Sequence, residues 1–237
     1  MNSTRIDFEY QNRACILVKP ENPAKGNPWV WRAEFFGAFD TADRELLSRG
    51  WHIAYICLSD MYGCPDAVAE MHNFYLYLTS EYRLSPFPSI FGFSRGGLYT
   101  CNYLLAHPDC ASSIYLDAPV MSIHNWPGGA TPSQKHWKEC LECYHLTEES
   151  AKDFRNNPLD NVQKMANANV PVILVAGLKD KLVNYNDNGG LFKERFINCG
   201  GVIKTILKPE CDHHPHSLDD ASPIADFIEA AFESKKH

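Results

Sequence analysis

The stretch at residues 90–97, which reads Ile-Phe-Gly-Phe-Ser-Arg-Gly-Gly, constrains the fold of this chain more than any other. A short apolar run preceded by prolines is typical of a buried strand, and the residues from Leu98 to His107 have helical spacing and end at Pro108. Ser94 therefore lies in a tight turn between a predicted strand and a predicted helix. Such a turn lifts the hydroxyl off the end of the sheet and places the positive end of the helix beside it.

The glycines of this turn support the same interpretation. Gly92 and Gly96 leave room for strand and helix to approach closely, and Gly97 adds a third residue without a side chain. Gly-x-Ser-x-Gly also occurs in ordinary loops, where the serine is only a cap. We favour a nucleophilic serine, because a strand is predicted before the turn and a helix after it.

Strands and helices alternate along the rest of the chain. This alternation demands a mainly parallel, doubly wound sheet of about eight strands with helices on both faces, and the first two strands are expected to be antiparallel at its edge. Besides the elements that flank Ser94, the predicted strands are Ile6–Tyr10, Ala14–Val18, Trp29–Ala33, Trp51–Leu58, Ser113–Val120, Val170–Gly177 and Val202–Leu207, and the predicted helices are Thr41–Arg49, Ala67–Tyr82 with Asp66 as its N-cap, Gly190–Asn198 and Pro223–Ser234.

Residues 121–168 are the least regular part of the chain, with short helical pieces broken at Pro158. We interpret them as a small helical cap inserted over the site, within a single α/β domain that covers residues 1–237. A chain of this length can bury a large core without metals or disulfides.

Charge and cysteine content narrow the possible partners and compartment. The net charge of −7 argues against nucleic acid or an anionic membrane as a partner. Nine scattered cysteines indicate reduced, mostly buried thiols, and the Cys140-Leu-Glu-Cys143 spacing lacks the second pair of a metal site. The first residues lack the apolar run of a signal peptide, so we expect a cytoplasmic protein.

Three segments resemble the α/β-hydrolase family. They are Gly-Phe-Ser-Arg-Gly-Gly at 92–97, Gly-Leu-Lys-Asp-Lys-Leu-Val at 177–183 and His-His-Pro-His at 213–216, in the family's order of serine, acid and histidine. Small prolyl-oligopeptidase-like and carbohydrate-esterase-like members are the most similar. The resemblance implies the α/β-hydrolase fold and an acyl-transfer site at the carboxyl edge of the sheet.

The resemblance implies that Asp180 is the acid of a catalytic triad with Ser94. Asp180 follows Gly177 after a strongly apolar strand, where the family places its acid. Asp117 and Asp187 compete for the role, but Asp117 follows the wrong strand and Asp187 lies deeper in its loop.

The base is expected among three histidines that follow the last strand. His213 is our first choice, and His214 and His216 are the alternatives. The family usually shows glycine just before this histidine, whereas this chain has Asp212. Histidine suits the role because its pKa lies near neutral pH.

An oxyanion hole requires two N–H donors. We expect the backbone of Arg95 as one donor and the backbone of Glu34 or Phe35 as the other. The Arg95 side chain has two interpretations of equal weight. It either adds charge to the hole and contacts an acidic sugar, as the resemblance to glucuronoyl-esterase-like enzymes suggests, or it binds a structural carboxylate. The other candidate substrate-binding side chains are the aromatic residues Phe36, Tyr62 and Trp126.

The predicted function is a serine esterase that cleaves a small-molecule ester, with an acylated sugar as a candidate, and that needs no metal and no cofactor. One alternative is a peptidase or aminoacyl hydrolase on the same fold. Another is a catalytically inactive hydrolase fold that only binds ligands. The last is a metal site formed by Asp212, His213, His214 and His216, with or without Cys211.

Overall fold

The computed structural model describes residues 3–129 and 133–235 of the chain. Eight strands in these ranges form one sheet in the order β1-β2-β4-β3-β5-β6-β7-β8. β1 and β2 form an antiparallel hairpin and β2 pairs antiparallel with β4, whereas β3 to β8 are mutually parallel. The strands are β1 (Ser3–Tyr10), β2 (Arg13–Pro20), β3 (Trp29–Arg32), β4 (His52–Ile56), β5 (Ser89–Phe93), β6 (Ser113–Asp117), β7 (Val172–Gly177) and β8 (Ile203–Lys208).

Helices cover both faces of this sheet. Successive residues of a strand point to opposite faces, so in the strand β7 Leu174 packs in one core cluster and Val175 in the other. The predicted doubly wound architecture is confirmed. The helices are α1 (Thr41–Ser48), α2 (Pro65–Glu81), α3 (Gly96–Ala106), α4 (Gln134–Cys143), α5 (Glu148–Lys152), α6 (Val162–Asn167), α7 (Gly189–Asn198) and α8 (Ser222–Lys235).

The two clusters draw on different helices. The larger one includes Met71 of α2, Cys101 of α3 and Phe192 of α7, and the other includes Leu46 of α1 and Ile228 of α8. The parallel strands β5, β6 and β7 are buried along their whole length between these layers. Their carboxyl ends therefore meet at one well-supported edge.

Several predicted boundaries were wrong by one to three residues, and two of them have a clear cause in the backbone. Helix α2 begins at Pro65 with Cys64 as its N-cap, because proline lacks the N–H that the first helical position leaves unpaired. Asp66 lies in the first turn instead, where its charge faces the positive end of the helix. The strand predicted to reach Val120 ends at Asp117, since Ala118 has a φ of +43° and turns the chain.

The segment predicted as a cap contains α4, α5, a 3-10 turn at Pro158–Asp160 and α6. It packs on the body through a small apolar cluster that includes Tyr62, Leu98 and Cys140. Residues 130–132 of the segment lie outside the described residues. No helix within the described ranges has the length and apolar character needed to cross a bilayer.

Candidate active site

Ser94 lies in the turn between β5 and α3 with a φ of +48°, a conformation that L-residues rarely adopt. Two hydrogen bonds to the next strand's end hold it there. Its N–H donates to the Asp117 carbonyl at 2.9 Å, and its carbonyl accepts from the Val120 N–H at 2.9 Å. The residue is only partly buried, so its hydroxyl is held in a strained but accessible position.

His213 lies between Ser94 and Asp180 in one chain of hydrogen bonds. Nε2 of His213 is 3.0 Å from the Ser94 Oγ, and Nδ1 is 2.7 Å from the Asp180 Oδ2. His213 is 7% exposed and Asp180 4% exposed. Because a carboxylate only accepts, Nδ1 carries the proton, and this leaves the Nε2 lone pair for the serine hydroxyl.

Hydrogen bonds from backbone N–H groups stabilise the loops that carry Asp180 and His213. The second Asp180 oxygen accepts from the N–H groups of Leu182 at 2.9 Å and Val183 at 2.8 Å. Asp212 accepts from the N–H groups of His213 and Lys181, and these bonds lower the pKa of Asp212. The aspartate that replaces the family's glycine thus ties the two loops together.

The other two histidines do not contact Ser94. His216 is buried, and its Nδ1 lies 2.9 Å from Asp117. Asp117 also accepts from the Tyr115 hydroxyl at 2.6 Å and the Ser217 N–H at 2.7 Å. His214 is exposed and stacks on a phenylalanine.

Neither competing acid forms a hydrogen bond with the imidazole at Ser94 in the described ranges. Asp117 binds Nδ1 of His216. Asp187 is exposed, and its backbone carbonyl accepts a hydrogen bond from the Asn125 side chain. Of the three candidate acids, Asp180 is the one bonded to His213.

Three backbone N–H groups in the segments around Ser94 have no acceptor in the described ranges. Among the described residues, the N–H groups of Arg95, Glu34 and Phe35 donate no hydrogen bond. A Cβ built on Gly96 would lie 3.9 Å from the Glu34 nitrogen, so the two segments are neighbours. Phe35 has a φ of +54°. The predicted oxyanion donors are thus brought close to the start of α3.

The Arg95 side chain binds two carboxylates. Nε donates to Glu34 at 2.6 Å, Nη1 donates to Asp60 at 2.8 Å, and the guanidinium lies 5.2 Å from the Phe35 ring. Burial raises the pKa of Glu34, and the attraction of Arg95 opposes that rise. Nη2 has no acceptor among the described residues. Binding of structural carboxylates therefore explains Nε and Nη1 and leaves Nη2 available as a donor.

Tyr62 connects this region to the segment predicted as a cap. Its hydroxyl donates to Glu139 at 2.8 Å and lies 2.9 Å from the His136 Nδ1, both on α4. Burial, followed by the hydrogen bond to Glu139, raises the pKa of Tyr62. Trp126 lies 6.0 Å from the Tyr62 ring and 5.6 Å from His136.

Sequence reasoning missed His136 and Glu139, whose three-residue spacing on a helix was the available signal. It also named Phe36 as a substrate contact. The structure packs Phe36 on Tyr55, 5.5 Å between ring centroids, and places the Arg5 guanidinium 5.5 Å from the centroid of the Phe36 ring.

The Cys140–Cys143 pair has the character of core thiols. Cys140 is buried, and Cys143 donates to the Asp60 carbonyl at 3.4 Å. Burial raises the pKa of both thiols, to about 11 for Cys143. A raised pKa disfavours the reactive thiolate, and all nine cysteines of the chain are free.

Solved structures match nearly the whole chain at low identity. Dipeptidyl peptidase 4 of Porphyromonas gingivalis is 12% identical with a TM-score of 0.68, over 98% of this chain and 35% of that one. Acylaminoacyl peptidase of Pyrococcus horikoshii is 13% identical with a TM-score of 0.66, over 98% and 40%. A puromycin hydrolase is 17% identical with a TM-score of 0.69, over 99% and 39%.

The chain therefore spans two fifths or less of the length of each of these solved chains. No protein-family model and no curated protein sequence matched it. The strand order, the parallel directions and the structural likeness together identify the fold as the α/β-hydrolase fold.

Proposed function

We propose that the chain is a serine hydrolase that cleaves a small carboxylic ester through an acyl-enzyme. The observation that carries the proposal is the hydrogen-bonded series from Ser94 through His213 to Asp180, which begins at a strained, accessible serine. Nucleophile, base and orienting acid in this relation are the requirements of acyl transfer.

Acylation follows from this geometry. As the Ser94 Oγ attacks the ester carbonyl carbon, Nε2 of His213 takes the hydroxyl proton across 3.0 Å. Asp180 holds the Nδ1 proton and stabilises the resulting imidazolium. The negative charge on the carbonyl oxygen is met by the N–H of Arg95 and that of Glu34 or Phe35.

Collapse of this intermediate breaks the ester bond, and the imidazolium of His213 gives its proton to the leaving alcohol oxygen. Water then repeats the sequence on the acyl-enzyme. His213 takes a proton from the water as its oxygen attacks the carbonyl, and returns a proton to the Ser94 oxygen when the acid product leaves. The two halves use the same groups and consume one water per ester.

The surroundings of Ser94 favour a small polar ester such as an acylated sugar. Trp126 offers a partly exposed aromatic face, and Arg95 Nη2 offers a donor without a protein acceptor in the described ranges. The predicted contact Tyr62 is fully buried, so it supports Trp126, 6.0 Å away between ring centroids, and does not itself reach a substrate. Aromatic faces with a few directed polar groups are typical of small-molecule sites.

A peptidase or aminoacyl hydrolase is the second candidate. It is favoured by the names of the neighbouring structures, which are two peptidases and a puromycin hydrolase. The same triad can attack amides and esters. The two reactions differ in the leaving group that His213 must protonate, which is an amine in one and an alcohol in the other.

Covalent labelling tests the proposal at the nucleophile. A fluorophosphonate probe is expected to label the native protein at one site, and Ser94→Ala should abolish the label. Ser48→Ala, a change at an exposed serine of α1, is the matched control and should leave labelling intact. A native protein that resists the probe would support the inactive, ligand-binding alternative.

A substrate panel then separates the two hydrolase candidates. Acetylated sugars, aryl esters, aminoacyl amides and short peptide amides are compared by kcat/KM on the same preparation. Turnover of the esters well above the amides supports the esterase. The reverse ranking replaces it with the peptidase while leaving the triad in place.

A further inference from the structure

Three imidazoles converge beside Ser94. The ring centroids of His213, His214 and His216 lie 4.8–4.9 Å apart in every pair. Each ring offers one nitrogen, and the three nitrogens lie within 4.8 Å of one another. The hydrolytic mechanism uses one of these rings and leaves the other two without a role.

Carboxylates orient both buried rings for ligation. Asp180 holds Nδ1 of His213 at 2.7 Å, and Asp117 holds Nδ1 of His216 at 2.9 Å. In each case Nε2 is the nitrogen left with an available lone pair. A histidine whose other nitrogen donates to a carboxylate is the usual arrangement of a metal-ligating histidine, and here it occurs twice.

The third ring is able to adjust. His214 is exposed and makes no side-chain hydrogen bond within the described ranges, and its ring stacks on Phe39 at 5.3 Å. Zinc binds imidazole nitrogen at about 2.0–2.1 Å in a tetrahedral site, so bound nitrogens must lie well inside the 4.8 Å that bounds these three. Rotation of the exposed His214 side chain is the movement that closes the difference.

We propose that His213, His214 and His216 form a binding site for a divalent transition-metal ion, with Zn²⁺ as the reference ion. Three neutral imidazoles supply the ligands and a water molecule or the Ser94 oxygen completes the tetrahedron. The ion is a reversible inhibitor and not a cofactor, because it occupies the Nε2 lone pair that Ser94 requires. This inhibitory half rests on the proposed hydrolase function, whereas the binding half does not.

Direct titration tests the binding half. Zn²⁺ is titrated against a chromophoric chelator in the presence of the full-length protein and a thiol-free reductant. We expect one competing site in the native protein and at least a tenfold weaker one in His214→Ala. His145→Asn, a change at an exposed histidine outside the cluster, is the control and should bind as the native protein does.

Other groups define the outcomes that overturn the proposal. Asp60, His136 and Glu139 also offer ligand atoms within 4.8 Å of one another, so Glu139→Gln is titrated in parallel. Zinc binding that is lost in Glu139→Gln and kept in His214→Ala refutes the histidine site. Absence of competition in the native protein refutes it as well.

Fluorophosphonate labelling of Ser94 tests whether the bound ion inhibits the nucleophile. Zn²⁺ should slow labelling of the native protein at concentrations that leave His214→Ala unaffected, and a chelator should restore the rate. Zinc that binds through His214 without slowing the label overturns inhibition alone. If the native protein is never labelled, the proposed function fails, and the titration still decides the metal site.

Discussion

Asp180 and Asp117 each hold the Nδ1 side of a buried histidine, at 2.7 and 2.9 Å, yet only one of these histidines reaches Ser94. The two pairs have the same chemistry and differ in position. Asp117 also accepts from a tyrosine hydroxyl and a backbone N–H, which fixes the loop that carries His213. The role of each aspartate therefore depends on whether the histidine that it binds reaches Ser94.

Replacing the acid tests this assignment. Asp180→Asn is expected to lower kcat by about 10³–10⁴-fold, since the amide no longer stabilises the imidazolium and favours the wrong tautomer of His213. Steady-state kinetics on the best ester of the panel measures the loss, with circular dichroism to verify folding. Asp187→Asn, at the exposed competing acid, should retain full activity. A large loss in Asp187→Asn would move the acid to that loop.

The residues of the series could be selected from the sequence because motif, order and strand ends restrict each one strongly. The choice of His213 over its neighbours depended on the resemblance, and the pairing of His216 with Asp117 was not visible. That pairing joins residues that are 99 positions apart. Contacts of this kind follow from how β6 and the loop after β8 meet in space, which no local pattern encodes.

At the scale of elements, the turn that carries Ser94 depends on the close approach of α3 to the segment after β6. A Cβ on Gly97 would lie 2.7 Å from both the Pro119 Cβ and the Val120 carbonyl oxygen, whereas a Cβ on Gly96 would lie 3.4 Å from its nearest neighbour, Glu34. The sequence stressed Gly92 and Gly96. The structure confirms a close contact at Gly92, where a Cβ would lie 2.7 Å from the Thr100 Oγ1 of α3, and places the second close contact at Gly97 instead of Gly96.

Two adjacent glycine substitutions exploit this difference. Gly97→Ala is expected to destabilise the fold by about 1–3 kcal/mol through overpacking, in spite of the helix propensity that alanine adds. Gly96→Ala should be close to neutral, since its Cβ has ordinary contact distances. Denaturant unfolding measures both. Equal effects of the two changes would mean that the contact of α3 with the segment after β6 is looser than described.

Helix α2 and the residue that ends α3 also meet through stacked imidazoles. His72 and His107 lie 3.7 Å apart between ring centroids, and burial lowers the pKa of both below 6.5. Tyr75 and Tyr103 pack against His72, and burial raises the pKa of each, so both remain neutral. The pair therefore opposes protonation in the folded state.

This pair makes stability depend on pH. Between the lowered pKa values and 6.5, the unfolded chain binds more protons than the folded chain. The contribution of this pair to the free energy of unfolding is therefore complete above pH 6.5 and decreases as the pH drops below that value. His107→Gln should make that fall shallower, measured as urea midpoints at several pH values. The exposed His145→Asn should follow the native curve. A His107→Gln curve identical to the native one would contradict the account.

The predicted elements were reliable where the pattern is long. The sheet, its two antiparallel edge strands and the flanking helices follow from apolar periodicity and from proline and glycine stops. Their ends were less secure, since Pro65 and Ala118 act through backbone geometry that periodicity does not report. The irregular segment after residue 120 was recognised as different, but its contacts with the body were not predicted.

For the whole molecule, the important junction is the one between that segment and the body. Tyr62 reaches α4 through His136 and Glu139, and Tyr144, which follows α4, reaches back. The Tyr144 hydroxyl donates to the Tyr62 carbonyl at 2.9 Å and accepts from Asn102 at 3.1 Å. One short stretch around Tyr62 therefore connects the surroundings of Ser94 to the segment predicted as a cap.

Tyr144→Phe should loosen the cap without unfolding the body, since it removes both junction hydrogen bonds of that hydroxyl, together worth at least about 1 kcal/mol. Hydrogen exchange in α4 and α5 is expected to quicken at least about fivefold, the equivalent of that energy, while exchange in β6 and β7 stays slow. Tyr75→Phe removes a comparable bond inside the body, to the Pro86 carbonyl at 3.0 Å, and should leave α4 unchanged. If Tyr144→Phe instead quickens exchange equally in α4 and β7, the segment and the sheet open as one cooperative unit, and the cap has no independent motion through which substrate could enter.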